Sequence, residues 1–503
     1  VTSEDSRISP EEARLLITTE ESAVGSGASS VGITPGLAQG TLGPAHIVFM
    51  VMAAVAPAGG AVALIPLALA LGVGVGTPGM FVVVAAILTL FAVGFTRMVP
   101  FVRNAGAFFA YVTNGVGRPP GLAAAYVALS AYLAVGTATC GAMGFFASTS
   151  VEGFFGVTIP WWVYSLVGLV ICLVLGYFRI TLAAGVLAVA LVLEGTVVLV
   201  LDLAILFQEG PGSFSLASFS PTHVLSGAIG VGIIFCFSCF QGFEGTAIYA
   251  EEARDPEVTV PRATYASTLG IGAFFMFTAW AMVVGGGGDA APATALADPG
   301  AFAYALSDSY VGTAWTKILE VLIVTSCFAG VLAFHNAASR YLFALSRDGF
   351  MPTALSQVHP TYSSPTRAGI GSFGVMALVV SGFAIAGLDP LTTLTSAMTG
   401  FGAVGLLLLI TTTSGAVVVF FWRRGERGWV HVIAPAIATV ALATLTVLAL
   451  VNYESITGTT SSVINSLPWI HVLTILVGLA IALRARSNRP EAYQRMGQTL
   501  VDD

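Results

Sequence analysis

Residues Phe237–Pro261 read FSCFQGFEGTAIYAEEARDPEVTVP, and the chemistry of the chain changes along them. The stretch opens as the end of an apolar run from Gly227 to Phe240 and passes through Gln241-Gly242-Phe243-Glu244-Gly245. It closes in a charged, proline-bounded segment that cannot lie in lipid. In hydrocarbon each unpaired backbone N–H or C=O costs several kcal/mol, so a hydrophobic helix broken between glycines is tolerated only where the freed groups face protein, a cavity or a ligand. Half-helix ends arranged in this way can offer their backbone dipoles to a small solute.

Working outward, 56% of the 503 residues are hydrophobic and 9% are charged, against about 25% charged in ordinary soluble domains. This is the composition of an all-α polytopic membrane protein. Spanning about 30 Å at about 1.5 Å per residue takes about 20 apolar residues. Twelve spans are expected, at roughly 44–72, 77–98, 120–148, 160–177, 182–207, 222–249, 263–285, 314–345, 368–387, 393–421, 430–451 and 463–484.

With the N-terminus inside, the basic residues test that count. Lys317 is the one lysine among 19 basic residues. The arginines fall at Arg7 and Arg14, around the second-to-third connection (Arg97, Arg103, Arg118), at Arg179, and after span six (Arg254, Arg262). The others flank the eighth-to-ninth connection (Arg340, Arg347, Arg367), precede span eleven (Arg423, Arg424, Arg427) and finish the chain (Arg484, Arg486, Arg489, Arg495). Every arginine lands on the cytosolic side, while Lys317 lands near the outer end of span eight. The outer connections carry Glu152, Glu209, Asp289, Asp298, Asp308, Asp389 and Glu454. The expectation is a protein integral to the plasma (cytoplasmic) membrane with both termini cytosolic.

Val1 to Gln39 is polar and acidic, then rich in Gly and Ser, and reads as a mobile cytosolic tail without a cleavable signal. Cys140, Cys172, Cys236, Cys239 and Cys327 all lie inside apolar runs, so no disulfide scaffold is expected. Cys236 and Cys239 form a CxxC without a second ligand pair, which points to helix packing and not to a metal.

A second break lies in the first span, where Ala56-Pro57-Ala58-Gly59-Gly60 divides AHIVFMVMAAVAPAGGAVALIPLALALG almost in half. Proline removes a donor and clashes with the preceding turn, and glycines tolerate the irregular torsions that result. Two breaks five spans apart imply a second block of five starting on the opposite face, a 5+5 inverted repeat meeting at discontinuous helices 1 and 6. The expected organisation is a tail at 1–40, a first five-helix repeat at 41–210 and a second, inverted one at 221–425. Two additional helices follow at 426–486, and a C-terminal tail at 487–503.

Three motifs resemble the permeases of the amino acid-polyamine-organocation (APC) superfamily. Span six is similar to its F-x-G-F-E, E-E-x-x-x-P and P-R pattern, with Phe240-Gln241-Gly242-Phe243-Glu244, Glu251-Glu252-Ala253-Arg254-Asp255-Pro256 and Pro261-Arg262. The end of span eight resembles N-x-x-S-R followed by A-x-x-R-D-G-x-x-P, as Asn336 to Arg340 and Ala344 to Pro352. After span two, Pro100, Asn104 to Phe109 and Tyr111 resemble the P-x-x-x-x-G-x-x-Y region. The resemblance covers about Leu42 to Arg486 and implies a leucine-transporter-like fold working by alternating access. The chain departs from the commoner pattern at the first break, where many members carry Gly-Ser-Gly-Ile.

For an amino-acid zwitterion the breaks offer a matched pair of dipoles. The N–H groups of Ala58, Gly59 and Gly60 would meet the carboxylate, with Ala56 and Pro57 forming the turn. Carbonyls near Ser238, Cys239 and Phe240 would meet the ammonium. Phe240 and Phe243 could cover the ligand as gates or pack in the core. Tyr132 could turn its hydroxyl to the cavity, and Gln241 beside Gly242 could select side chains or cap loose backbone.

Glu194 lies near mid-depth of span five, where an acid is functional by default. Relatives that carry a lysine there associate it with proton coupling, and the resemblance implies that role for Glu194 with the opposite sign. Glu244 is a second candidate for the proton site, or a lock on the break. Thr325 and Ser326 could supply hydroxyls to sodium. Asp202, near the outer end of span five, is expected to be solvated. Arg254 with Glu251 and Arg340 with Asp348 are candidate gate pairs or ordinary surface charge.

The leading expectation is a secondary active transporter that imports amino acids, coupled to protons. The alternative is a carrier or exchanger of amines or polyamines of the putrescine or ethanolamine type, and a third reading is a nutrient sensor that kept the fold without transport. No Walker, zinc-site or Ser-His-Asp pattern is present, so no enzyme, cofactor or metal site is expected. The partners expected are a small-molecule substrate, the proton and the lipid bilayer, with no nucleic acid; the oligomeric state is open.

Overall fold

The structure, a computed structural model, describes residues 43–102, 108–178, 183–248, 253–362 and 364–496. Every regular element among them is helical. The chain runs through α1 (Pro44–Val55), α2 (Pro57–Gly72), α3 (Thr77–Met98), α4 (Phe108–Gly115), α5 (Arg118–Phe155), α6 (Trp161–Tyr177) and α7 (Ala183–Glu209). It continues through α8 (Ile229–Ser238), α9 (Gly245–Ile248), α10 (Pro256–Gly285), α11 (Ala291–Ala297), α12 (Phe302–Tyr310) and α13 (Thr313–Arg347). The last helices are α14 (Thr366–Ile385), α15 (Pro390–Arg423), α16 (Trp429–Val451), α17 (Trp469–Asn488) and α18 (Pro490–Arg495).

Among the described residues 9 helices are long and apolar enough to cross a bilayer, and α2, α6 and α8 are shorter apolar helices. The short helices α4, α11 and α12 fall in stretches read from the sequence as connections. Arg103, Asn104 to Ala107, Arg179, Glu251 and Glu252, together with both tails up to residue 42 and from residue 497, lie outside the described residues.

Proline sets many of the starts, because its missing N–H is one that the first turn leaves unpaired anyway. At the head of α15, Asp389 accepts from the N–H groups of Leu391 and Thr392 at 2.9 and 2.6 Å, with Pro390 as the first helical residue. At the head of α10, Pro256 follows Asp255, whose φ is 46°.

Helix α5 forms the middle of the bundle. Its most apolar window is 89% buried, whereas those of α14 and α17 are 22% buried and sit at the periphery. It packs on α6, α13, α15 and α17, while α10 packs on α1, α3 and α7.

Both interruptions fall in the stretches read as broken. Helix α1 stops at Val55 because a proline ring disfavours the helical region for the residue before it. Ala56 takes the left-handed region instead, with φ 52° and ψ 74°. Helix α2 then runs with π turns at Gly60–Leu64 and Ala68–Gly72. The irregular torsion was expected on the glycines, but Gly59 and Gly60 are both right-handed helical. Gly60 is required for another reason: a Cβ there would lie 2.6 Å from ring carbons of Phe275 on α10. The second break runs from Cys239 to Glu244 as turns, and Gly242 holds φ 111°, which a side chain would strain.

Candidate functional site

The two breaks border one cavity. It offers about 50 Å³ to the centre of a water-sized sphere, several times the roughly 10–15 Å³ that one water needs. Ala56, Gly59 and Gly60 line it from the first break, and Ser238 and Gln241 from the second. Helix α5 adds Val135 and Thr139, α13 adds Cys327, Gly330 and Phe334, and α15 adds Thr395 and Thr399. No charged side chain is among its lining residues. Thr395 holds α15 to α5 by donating to the Ala138 carbonyl at 3.1 Å. The Gln241 side-chain amide donates to the Ser238 hydroxyl at 3.3 Å, which holds these two cavity-lining side chains together.

The N–H groups expected to receive a carboxylate are engaged by the protein itself. Gly60 donates to the Ala56 carbonyl at 2.9 Å, as a helical turn requires. Gly59 donates to the Ser326 hydroxyl at 3.2 Å across 267 residues of chain. The Glu194 carboxyl, 2% exposed, lies beside the Ala58 N–H and the Ser326 hydroxyl. Glu194 and Ser326 therefore cap the start of α2 from α7 and α13, and the positive end of its dipole is met by an acid. Thr325 is not brought to this cluster: its side chain is exposed and its hydroxyl donates to Leu322 within α13. One helical step from Ser326 turns a side chain by about 100°, which places the pair on different faces.

Glu244 closes the second break. Its Oε2 accepts from the Gly242 N–H at 2.9 Å and its Oε1 from the Tyr132 hydroxyl at 3.2 Å. Tyr132 thus turns its hydroxyl to Glu244 and is not among the cavity-lining residues. Its ring stacks on Phe334, which is, at 6.3 Å between centroids.

Phe240 and Phe243 are not placed as covers. Phe240 packs on Phe81 of α3 at 6.3 Å, Phe243 meets Phe91 of α3 edge-on at 6.2 Å, and both are buried. Pro57, Ala58, Cys239 and Gly242 shape the breaks without lining the cavity, although a Cβ on Gly60 would come within 3.4 Å of the Cys239 sulfur.

Asp202 corrects an expectation. It is fully buried, not solvated, and accepts the Thr278 hydroxyl of α10 at 2.7 Å. Asp348, drawn as a gate partner of Arg340, pairs with its neighbour Arg347 at 3.2 Å. Burial pushes the Asp348 carboxyl above its ordinary value, against the Arg347 guanidinium that pulls it down.

Phe334, Thr139, Thr395 and Thr399 escaped the sequence reading. A signal was present: Thr395 and Thr399 are one turn apart in an otherwise apolar helix, and Thr139 follows Tyr132 by two turns, on the same face.

Comparison with known proteins adds the context of the whole chain. The sequence profile described as amino acid permease matches residues 42–479. The low-affinity putrescine importer PlaP of Escherichia coli is 27% identical over 225 residues, which cover 44% of this chain and 46% of that protein. The branched-chain amino acid permease BcaP of Lactococcus lactis is 26% identical over 159 residues, 30% of this chain and 31% of that protein. The chain thus spans less than half the length of these curated relatives. In fold it is similar to the crystal structure of the Eremococcus coleocola manganese transporter, at a TM-score of 0.50 and 14% identity, over 93% of this chain and 100% of that one.

Proposed function

The chain belongs to the amino acid permease family of the APC superfamily, and from that premise we propose that it is a secondary active transporter that imports amino acids by alternating access together with protons. The observation that carries this reading is the cavity bordered by both helix breaks, where backbone groups of α2 and α8 come within reach of one small solute. Ser238, Gln241, Thr139 and Thr399 supply neutral hydrogen-bonding groups around it, and Phe334 an apolar wall. No lining residue has to bury an unpaired charge.

The twelve-span, 5+5 arrangement belongs to the same proposal, with the boundaries given by the sequence. Its support is the order of lengths. The third helix is the longest in both sets, α5 with 38 residues and α13 with 35, and the fourth is short in both, α6 with 17 and α14 with 20. α5 and α13 also pack on each other.

Glu194 is the coupling group in this account. As a carboxylate it ties Ala58 and Ser326 together at the break. On taking a proton it becomes a weaker acceptor, and the Ala58 N–H is released to a cargo carboxylate while α2 loosens from α7. Glu244 keeps the second break closed through Gly242 and Tyr132.

One observation favours a second reading, an amine or polyamine as cargo. The Gly59 N–H is already engaged by Ser326, and the acid beside the Ala58 N–H would, when ionised, suit a cation better than a carboxylate.

Uptake by proteoliposomes under an inward proton gradient, with amino acids and putrescine tested separately, decides between them. The proposal expects saturable accumulation of one class and counterflow when the gradient is absent. Glu194→Gln should lose accumulation and keep exchange; a variant that accumulates like the parent removes Glu194 from the coupling role.

A further inference from the structure

Helix α7 carries three carboxyls, and the account above uses one. Glu194, Asp202 and Glu209 stand 8 and 7 residues apart, which at 3.6 residues per turn keeps them within an arc of about 80° on one face, with rises of about 12 and about 10 Å. Glu209 is exposed at the end of the helix and accepts the Tyr310 hydroxyl of α12 at 2.6 Å. Glu194 sits at the break in the first span. Asp202 lies between them, fully buried.

The surroundings of Asp202 set it apart from a structural carboxyl. Its Oδ2 accepts from Thr278, and its Oδ1 is buried with no hydrogen-bond partner among the described residues. A buried polar oxygen left unpaired is costly, and intramembrane acids that bear this cost commonly serve proton relays. Helices α1, α2, α10, α12 and α13 pack against α7. The polar and titratable groups they turn toward it are placed as follows: Ala58 N–H, Ser326 and Cys327 act at Glu194, Tyr310 at Glu209, and Thr278 at Asp202. Trp315 donates to the Val197 carbonyl at 3.3 Å, and Lys317 is held by Glu320 at 2.9 Å.

We propose that Asp202 is a proton relay between the Glu209 end of α7 and Glu194. A proton arriving from water at that end is taken by the Asp202 carboxylate; the acid then gives it to water that reaches Oδ1 when α7 and α10 part, and that water delivers it to the Glu194 carboxylate. Asp202 returns to its starting form and one proton has moved along the helix. The inference rests on the reading of Glu194 as the coupling group, and its test separates the two.

Asp202→Asn keeps the acceptor for Thr278 and removes the exchangeable proton. In proteoliposomes it is measured beside Glu194→Gln for gradient-driven accumulation, for cargo-induced proton entry reported by a trapped pH dye, and for exchange without a gradient. The relay expects Asp202→Asn to lower accumulation and proton entry by about tenfold or more, to flatten the dependence on external pH, and to leave exchange near the parent rate. Parent-like accumulation and pH profile in Asp202→Asn, with Glu194→Gln defective, overturn the relay and leave the coupling reading standing. Parent-like accumulation in Glu194→Gln overturns both. Should Asp202→Asn lose exchange as well, Asp202→Glu replaces it: the relay expects restored proton entry there, and continued loss in a folded protein overturns it.

Discussion

At the scale of single residues, Gly59 and Gly60 separate two uses of glycine that the sequence presents as one. Both are helical, so neither is needed for its torsions. A Cβ on Gly60 would meet the Phe275 ring at 2.6 Å, and one on Gly59 would find its nearest atom at 3.5 Å. Gly60→Ala should therefore cost about 1–3 kcal/mol of stability as overpacking, while Gly59→Ala should unfold near the parent temperature in detergent. Equal melting temperatures for the two variants would show that α2 and α10 do not approach as described. Ser326 presents a similar lesson. It stands beside Thr325 in the sequence as an equivalent hydroxyl, but one faces Gly59 and Glu194 and the other faces outward.

At the scale of elements, the first break is made by the proline. Pro57 forces Ala56 out of the right-handed region, and α1 and α2 separate there. Pro57→Ala should allow one continuous helix, turn the Ala58 and Gly59 donors back into the ladder, and bring gradient-driven uptake close to background in a protein that remains folded. Unchanged uptake would mean that the break is held by Glu194 and Ser326 alone.

Much of this was legible in the sequence, because apolar length, proline and paired glycines act locally. The positions of the two breaks and the depth of Glu194 in span five follow from such signals, whereas its place beside the first break does not. What was not legible depends on which face each side chain presents after packing. Phe240 and Phe243, which flank Gly242, read equally as gates or as core aromatics, and α3 brings Phe81 and Phe91 against them. Asp202 read as solvated because it nears a helix end, and α10 covers it with Thr278. Phe334 reaches the cavity only because α13 lies against α5.

At the scale of the whole molecule, the long buried α5 and its partner α13 form the frame, and the two broken helices form the part between which a solute fits. Cys327 is a built-in probe of that place. It is the cysteine among the lining residues, whereas Cys140, Cys172, Cys236 and Cys239 are not among them. The most direct measurement is the rate at which a small alkylating reagent labels Cys327 in a transport-competent variant with those four cysteines replaced by alanine, with and without the cargo identified by uptake. The account predicts that cargo slows labelling, with half-protection at the concentration that half-saturates transport. A labelling rate indifferent to a cargo that the same preparation transports would contradict it.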